Sequence, residues 1–308
     1  MILIICILWC RLQHTESIMI SIRLISKVSI FIVGLFIISG CVQKVTPSIV
    51  QLDNQLTGPN QLVDLSTGKP ITPQQLIQQL AQSTYVIVGE KHDNLYHHQI
   101  EQWVAQEMQQ VRPQGSVLLE MITPSQQNNI TKVQAQMQSN LYIRDEKLQA
   151  AIKWNTGWPW GLYGNLVRHL LSQPYPLLSA NLDKQVITEA YANPPVLKGQ
   201  YSTQSVVQDT IRKTIKSSHG GELTVEQVEK MTVIQQMRDR AMAQALINAP
   251  KPALLYAGGY HATRAIGVPL HLQDLAPEIE FKVLIISEEG NQIENLHADY
   301  VWYTPKNN

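Results

Sequence analysis

The sequence predicts an α/β fold: a mainly parallel sheet flanked by helices, with a helical cap or lobe supplied by long insertions. Two observations carry this reading. Five short runs are almost continuously apolar, Tyr85–Val88, Ser116–Leu119, Pro176–Ala180, Ala253–Ala257 and Lys282–Ser287, as expected of strands buried on both faces. Stretches of helical period separate them, and that alternation is the signature of a sheet covered by crossover helices.

Taken in order, the chain opens on an apolar leader. Arg23 and Lys27 precede the apolar run 28–38, which ends in Ile38-Ser39-Gly40-Cys41. That run is too short for an ordinary membrane span and has the build of a signal peptide. Small residues ahead of a cysteine resemble a bacterial lipobox, so residues 1–40 are expected to be removed and Cys41 acylated. The segment before Met19 fits this pattern badly, and Met19 is the expected true start. Cys6 and Cys10 would then be absent, and the mature domain would hold no free thiol. Val42 at the position after the cysteine matches outer-membrane sorting in a Gram-negative envelope, facing the periplasm. Residues 41–60 read as lipidated cysteine and tether, and 61–308 as a single domain.

Within that domain, 61–70 reads as a short strand and turn. Thr72-Pro73 starts a helix, with Thr as cap and Pro in the first turn. Helices are expected at about 94–111, 125–137, 144–153, 160–172, 183–192, 203–217 and 224–248, with a last, edge strand at Ala298–Tyr303. The gaps 121–175 and 181–252 exceed a simple crossover, and are read as the helical cap over the carboxyl ends of the strands.

Charge narrows the function classes. Lys+Arg and Asp+Glu are 24 each in 308 residues, so no basic field points to nucleic acid. No Walker A, GxGxxG, GxSxG or HExxH pattern is present, which leaves phosphate cradles, dinucleotide sites and serine-hydrolase chemistry without support.

The informative polar residues stand where apolar runs stop. The first run ends in Gly89-Glu90-Lys91-His92-Asp93, the second in Glu120, the third in Asn181, and the fourth in Gly258-Gly259-Tyr260-His261. Ligands of open α/β sheets bind outside the carboxyl ends of strands. Glu90, His92, Glu120 and His261 therefore form a candidate site, either for a divalent transition metal, with His92 and His261 among the ligands, or for metal-free activation of water. Spacing does not choose between them. Gly89 and Gly258 would let the backbone approach a ligand closely. Any one such residue is commonly just polar sequence leaving the core. His97 and His98 read as surface or packing residues, and Arg238 and Asp239 as an ion pair within a helix.

A second segment, Trp154-Asn-Thr-Gly-Trp158-Pro-Trp160-Gly-Leu-Tyr163, opens a helix that continues to His169. Aromatic surface with a phenol and a histidine suits a planar ligand, and a tyrosine phenolate can hold ferric haem iron. A tryptophan-rich packing seam is the commoner explanation of such a stretch.

The ordered set VGEKHDN (88–94), LLEMI (118–122), WNTGWPWGLYGNL (154–166), SANL (179–182), MRDRAMA (237–243) and YAGGYHATRAIGVPLHL (256–272) resembles the ChaN family of haem-binding lipoproteins, within the Tiki/TraB-like superfamily. The resemblance covers roughly residues 80–290. It implies an α/β domain with a small helical lobe, a role in haem and iron acquisition, and two haems held face to face at a homodimer interface. It also implies a tyrosine iron ligand helped by a histidine. Tyr163 is the first candidate, with Trp158 and Trp160 against the macrocycle, and His169 and Tyr260 as further candidates. The hydrolytic relatives in the superfamily imply an alternative, a metal-dependent hydrolase using Glu90, His92, Glu120 and His261.

Overall fold

The computed structural model describes residues 49–306 except 53, 59, 141 and 142. The leader, Met19 and Cys41 lie outside the described residues. Among the described residues no helix is long and apolar enough to cross a membrane.

Eight strands form one sheet: β1 (Leu62–Asp64), β2 (Lys69–Pro70), β3 (Tyr85–Glu90), β4 (Ser116–Leu119), β5 (Leu177–Ser179), β6 (Ala253–Gly258), β7 (Phe281–Glu288) and β8 (Tyr300–Thr304). Their spatial order is β2-β1-β8-β7-β3-β6-β4-β5. The pairs from β8 to β5 are parallel, while β1 runs antiparallel to β8 and to β2. The expected edge strand near residue 300 is therefore interior. The short β1–β2 hairpin covers its outer side, and its Trp302 indole donates to the Leu56 carbonyl at 2.7 Å.

The apolar runs are buried on both faces because each has a helical layer against it. Val86 and Val88 of β3, with Leu119 and Tyr256, join one core; Ile87, Leu118 and Leu255 join the other. The first core is closed by α1 (Pro73–Leu80), α2 (Leu95–Val111), a 3₁₀ turn (Pro124–Gln126), α3 (Gln127–Asn140), α4 (Asp145–Ala151) and α5 (Trp160–Leu171). Thr72 and Gln75 form a reciprocal capping box at the start of α1, with Pro73 in its first turn, as the sequence predicts. The second core is closed by the C-terminal half of α8 (Val225–Asn248), α9 (Gly259–Ala262) and α10 (Val268–Leu275). The last two helices have no counterpart in the sequence expectations.

The two insertions do different jobs. Residues 121–175 supply a layer of the sandwich rather than part of a cap. Residues 181–252 supply the lobe: α6 (Lys184–Ala192) and α7 (Ser205–Ser218) pack on α8, and Val207 and Ile211 form a small separate core with Ile266. Of the expected tether, the part described (49–52, 54–58 and 60) makes contacts with the domain. Within 41–60, Leu56 is buried in the first core, and the Val50 amide donates to the Gln106 side chain at 3.1 Å.

Candidate functional site

Sheet order makes the site. β3, β6, β4 and β5 are four neighbouring strands, so the polar residues that follow them share one end of the sheet. Glu90 stands in register with Gly258, and the Glu120 amide continues the ladder onto the Tyr256 carbonyl at 3.0 Å.

Two clusters meet there, buried except for His92, whose side chain is 42% exposed. In the first, His92 Nδ1 lies 2.5 Å from Glu90 Oε1, and the Tyr163 hydroxyl lies 3.3 Å from the same oxygen and 3.2 Å from His92 Nδ1. Burial opposes a charged His92, but the hydrogen bond and charge of Glu90 outweigh it and push the imidazole up to about 9. The His98 ring lies tilted against Tyr163, centroids 4.1 Å apart, and reaches Glu101 Oε2 at 2.9 Å. Burial pushes Glu101 up to about 7, against the pull of His98. In the second cluster, Glu120 accepts from the Gly258 amide at 2.7 Å and faces His261 Nε2 at 3.4 Å, while His261 Nδ1 lies 2.6 Å from Asp239. Burial raises Asp239 to about 6. Burial also opposes an ionised Glu120, but the charges of His261 and His92 and the Gly258 N–H outweigh it and lower its carboxyl. Asn181 donates to the Glu120 carbonyl and accepts from Arg238. Such a carboxylate–imidazole–carboxylate chain can hold and pass a proton.

Gly258 joins the two clusters. A Cβ there would stand 2.8 Å from the His92 ring. Its missing side chain makes room for this imidazole, where the sequence suggested room for a ligand. At Gly89 the space is filled by Ala262 and Ile285, each 2.6 Å from where a Cβ would stand.

Glu90, His92, Glu120 and His261 are thus brought together, but His92 and His261 do not share a metal-ligand set. Among the described residues, the group with ligand atoms within 4.8 Å of one another is Glu90, His98 and Glu101. His98, assigned on sequence to surface or packing, is a buried member of the site; Glu101 and Asp239 were missed. The i,i+3 pairing of His98 with Glu101 in α2 was the available signal. Arg238 and Asp239 do not pair with each other, since neighbouring residues on a helix point to different partners. His97 is buried, and its ring accepts from the Lys91 amide at 2.8 Å.

The aromatic segment is a packing seam. Tyr163, the first candidate for an iron ligand, has 0% exposure. Burial, followed by Glu90, holds its phenol strongly protonated, so it offers no surface to a macrocycle in this conformation. Trp158 sits edge-on to His92 at 4.8 Å, and Trp160 edge-on to Trp154 at 5.5 Å. Both tryptophans pack against the first core. His169 is buried, with neither ring nitrogen partnered among the described residues, and burial lowers it to about 4.

Tyr260 is placed quite differently. It is 60% exposed at the carboxyl end of β6. It borders a groove of about 470 Å³ walled by Ile187, Tyr191, Ile211, Ile215, Met231 and Ile234 of the lobe, with Arg238 and His261 at its polar side. An exposed phenol beside a mostly apolar groove with a guanidinium in its wall fits a flat, apolar, anionic ligand.

The family described as haem-binding uptake, Tiki superfamily, ChaN matches residues 76–272. Among solved structures, the one titled "Cofacial heme binding to ChaN of Campylobacter jejuni" is 29% identical and has a TM-score of 0.72. The match covers 78% of this chain and 94% of that one. An erythromycin esterase at 11% identity (TM-score 0.43, covering 70% of this chain and 73% of that one) and the type III effector HopBA1 at 10% (TM-score 0.41, covering 75% and 92%) are too distant to inform the site. No curated protein matches the chain.

Proposed function

Because the chain belongs to the ChaN family of haem-binding uptake proteins in the Tiki superfamily, we propose that it takes haem at the lobe groove, with the Tyr260 phenol as iron ligand. The observation that carries this reading is the contrast between the two tyrosines: Tyr260 is 60% exposed beside an apolar groove, and Tyr163 is wholly buried. A tyrosine ligand suits ferric haem. The groove's apolar wall would take the macrocycle, and Arg238 is the cation available to a propionate. The likeness to a cofacial haem complex supports a second copy of the chain closing over the exposed side of the ligand. The same match favours haem binding over the hydrolytic alternative.

The test is a hemin titration of the full chain. A Soret shift saturating near one haem per chain is expected, with sedimentation moving toward a dimer. Tyr260→Phe should lose the tyrosinate charge-transfer band and bind at least tenfold more weakly, while Tyr163→Phe should keep both. If Tyr163→Phe loses them and Tyr260→Phe does not, the ligand assignment is wrong; no Soret shift in the wild type ends the haem reading.

The proposal extends to the cell envelope: acylation of Cys41, anchoring in the outer membrane facing the periplasm, and a place in iron acquisition. The Ile38-Ser-Gly-Cys41 sequence supports it. Palmitate labelling that is lost in Cys41→Ser is the expected result.

A further inference from the structure

At the strand-end site Glu90, His98 and Glu101 converge, and hydrogen bonding leaves one oxygen of each carboxylate unused. One ligand atom from each lies within 4.8 Å of the other two, and all three residues are buried. Glu90 Oε2 and Glu101 Oε1 have no hydrogen-bond partner among the described residues. Even with an imidazole on one oxygen of each carboxylate, leaving the second oxygens buried without partners is costly, and a shared cation would offset that cost.

Groups outside the trio already hold His98 and Glu90 in place. His98 Nε2 lies 3.1 Å from the His92 carbonyl, an acceptor only, so Nε2 carries the hydrogen. Nδ1 shares a proton with a Glu101 oxygen at 2.9 Å, and a cation bound there would displace that proton and take the Nδ1 lone pair. Metal-bound histidines usually tie their second nitrogen to a carbonyl or carboxylate in this manner. Glu90 Oε1 is oriented by His92 and the Tyr163 hydroxyl, and the Tyr256 hydroxyl donates to the main-chain carbonyl of Glu101 at 2.6 Å, which holds that turn of α2 but not the carboxylate. Ligands of a tetrahedral zinc stand roughly 3.4 Å apart, given metal–ligand bonds of about 2.1 Å. The ligand atoms, within 4.8 Å of one another here, would shift toward that spacing on binding a cation.

We infer that Glu90, His98 and Glu101 form a buried site for a divalent transition cation of the zinc, manganese or cobalt type. One imidazole and two carboxylates suit that class, and two negative charges match a dication. The site lies beneath Tyr163 and His92, and does not use the Tyr260 groove. It therefore stands or falls independently of haem binding.

The experiment uses the full chain, expressed without added haem in medium supplemented with zinc, manganese or cobalt, then dialysed against metal-free buffer. Elemental analysis should find about one equivalent of one of these metals, and the cobalt form should show visible d–d absorption. Glu101→Gln, which keeps the side-chain shape, should reduce retained metal at least tenfold, while hemin still gives the wild-type Soret spectrum. Should that variant fail to fold, competition of the wild-type cobalt form with zinc, read from the same bands, supplies the second measurement; bands characteristic of nitrogen–oxygen ligation that zinc abolishes support the site. No stoichiometric metal in the wild type overturns the inference. So does metal that persists in Glu101→Gln but is lost in His261→Ala, which would move the ion to the strand-end pocket.

Discussion

His97 makes a sharp test of how the strand-end loop is held. Its Nδ1 accepts from the Lys91 amide at 2.8 Å, and its Nε2 lies 3.0 Å from the Thr304 hydroxyl, which donates onward to the Pro305 carbonyl. A nitrogen that accepts from an N–H has no room for a proton of its own. The ring is thus fixed neutral, and burial, helped by the charge of His98, lowers it to about 3. In the unfolded chain it returns to about 6.5. The depressed value means that its stabilisation is present above pH 6.5 and is lost as pH falls toward 3. Between pH 7.5 and 4.5 the unfolded state takes up nearly one proton that the folded state refuses, worth about 2.5 kcal/mol by linkage. His97→Gln keeps an acceptor and a donor but cannot titrate. Urea unfolding of both proteins at the two pH values should show the wild type losing about 2.5 kcal/mol more than the variant. Equal losses would refute the assignment of His97 as a locked neutral ring.

Three further expectations follow from particular contacts. Gly258→Ala places a methyl 2.8 Å from the His92 ring, so the ring must leave Glu90; its NMR titration should fall from about 9 toward 6.5. Leu56→Ala removes a fully buried side chain and should cost about 2–5 kcal/mol in urea unfolding, where a free tether predicts almost none. Thr72→Ala breaks the capping box of α1 and should cost roughly 1 kcal/mol, read as a lowered thermal midpoint.

Much of the fold was legible because its signals are local. A strand buried on both faces must be continuously apolar, and 85–88, 117–119 and 253–257 are. The Thr72-Pro73 start is a cap whose partners lie within one turn. The short helices α9 and α10 escaped notice because four and eight residues give little period to read. The last strand was misplaced at an edge because nothing in its own residues says that the β1–β2 hairpin will lie outside it.

The candidate site divides the same way. The sequence alone determined that Glu90, His92, Glu120 and His261 end buried strands, and that such ends face a common side. It could not determine depth. Tyr163 and Tyr260 are the same residue type in equally suggestive motifs, yet one has no exposed surface and the other is 60% exposed. Nor could it bring His98 and Glu101 to Glu90, or separate Arg238 from Asp239. Chain-local pattern sets what each element is, through capping, period and apolar runs. Which side chains meet, and which of them water or a ligand can reach, depends on how layers distant in sequence pack, and only the tertiary structure decides that.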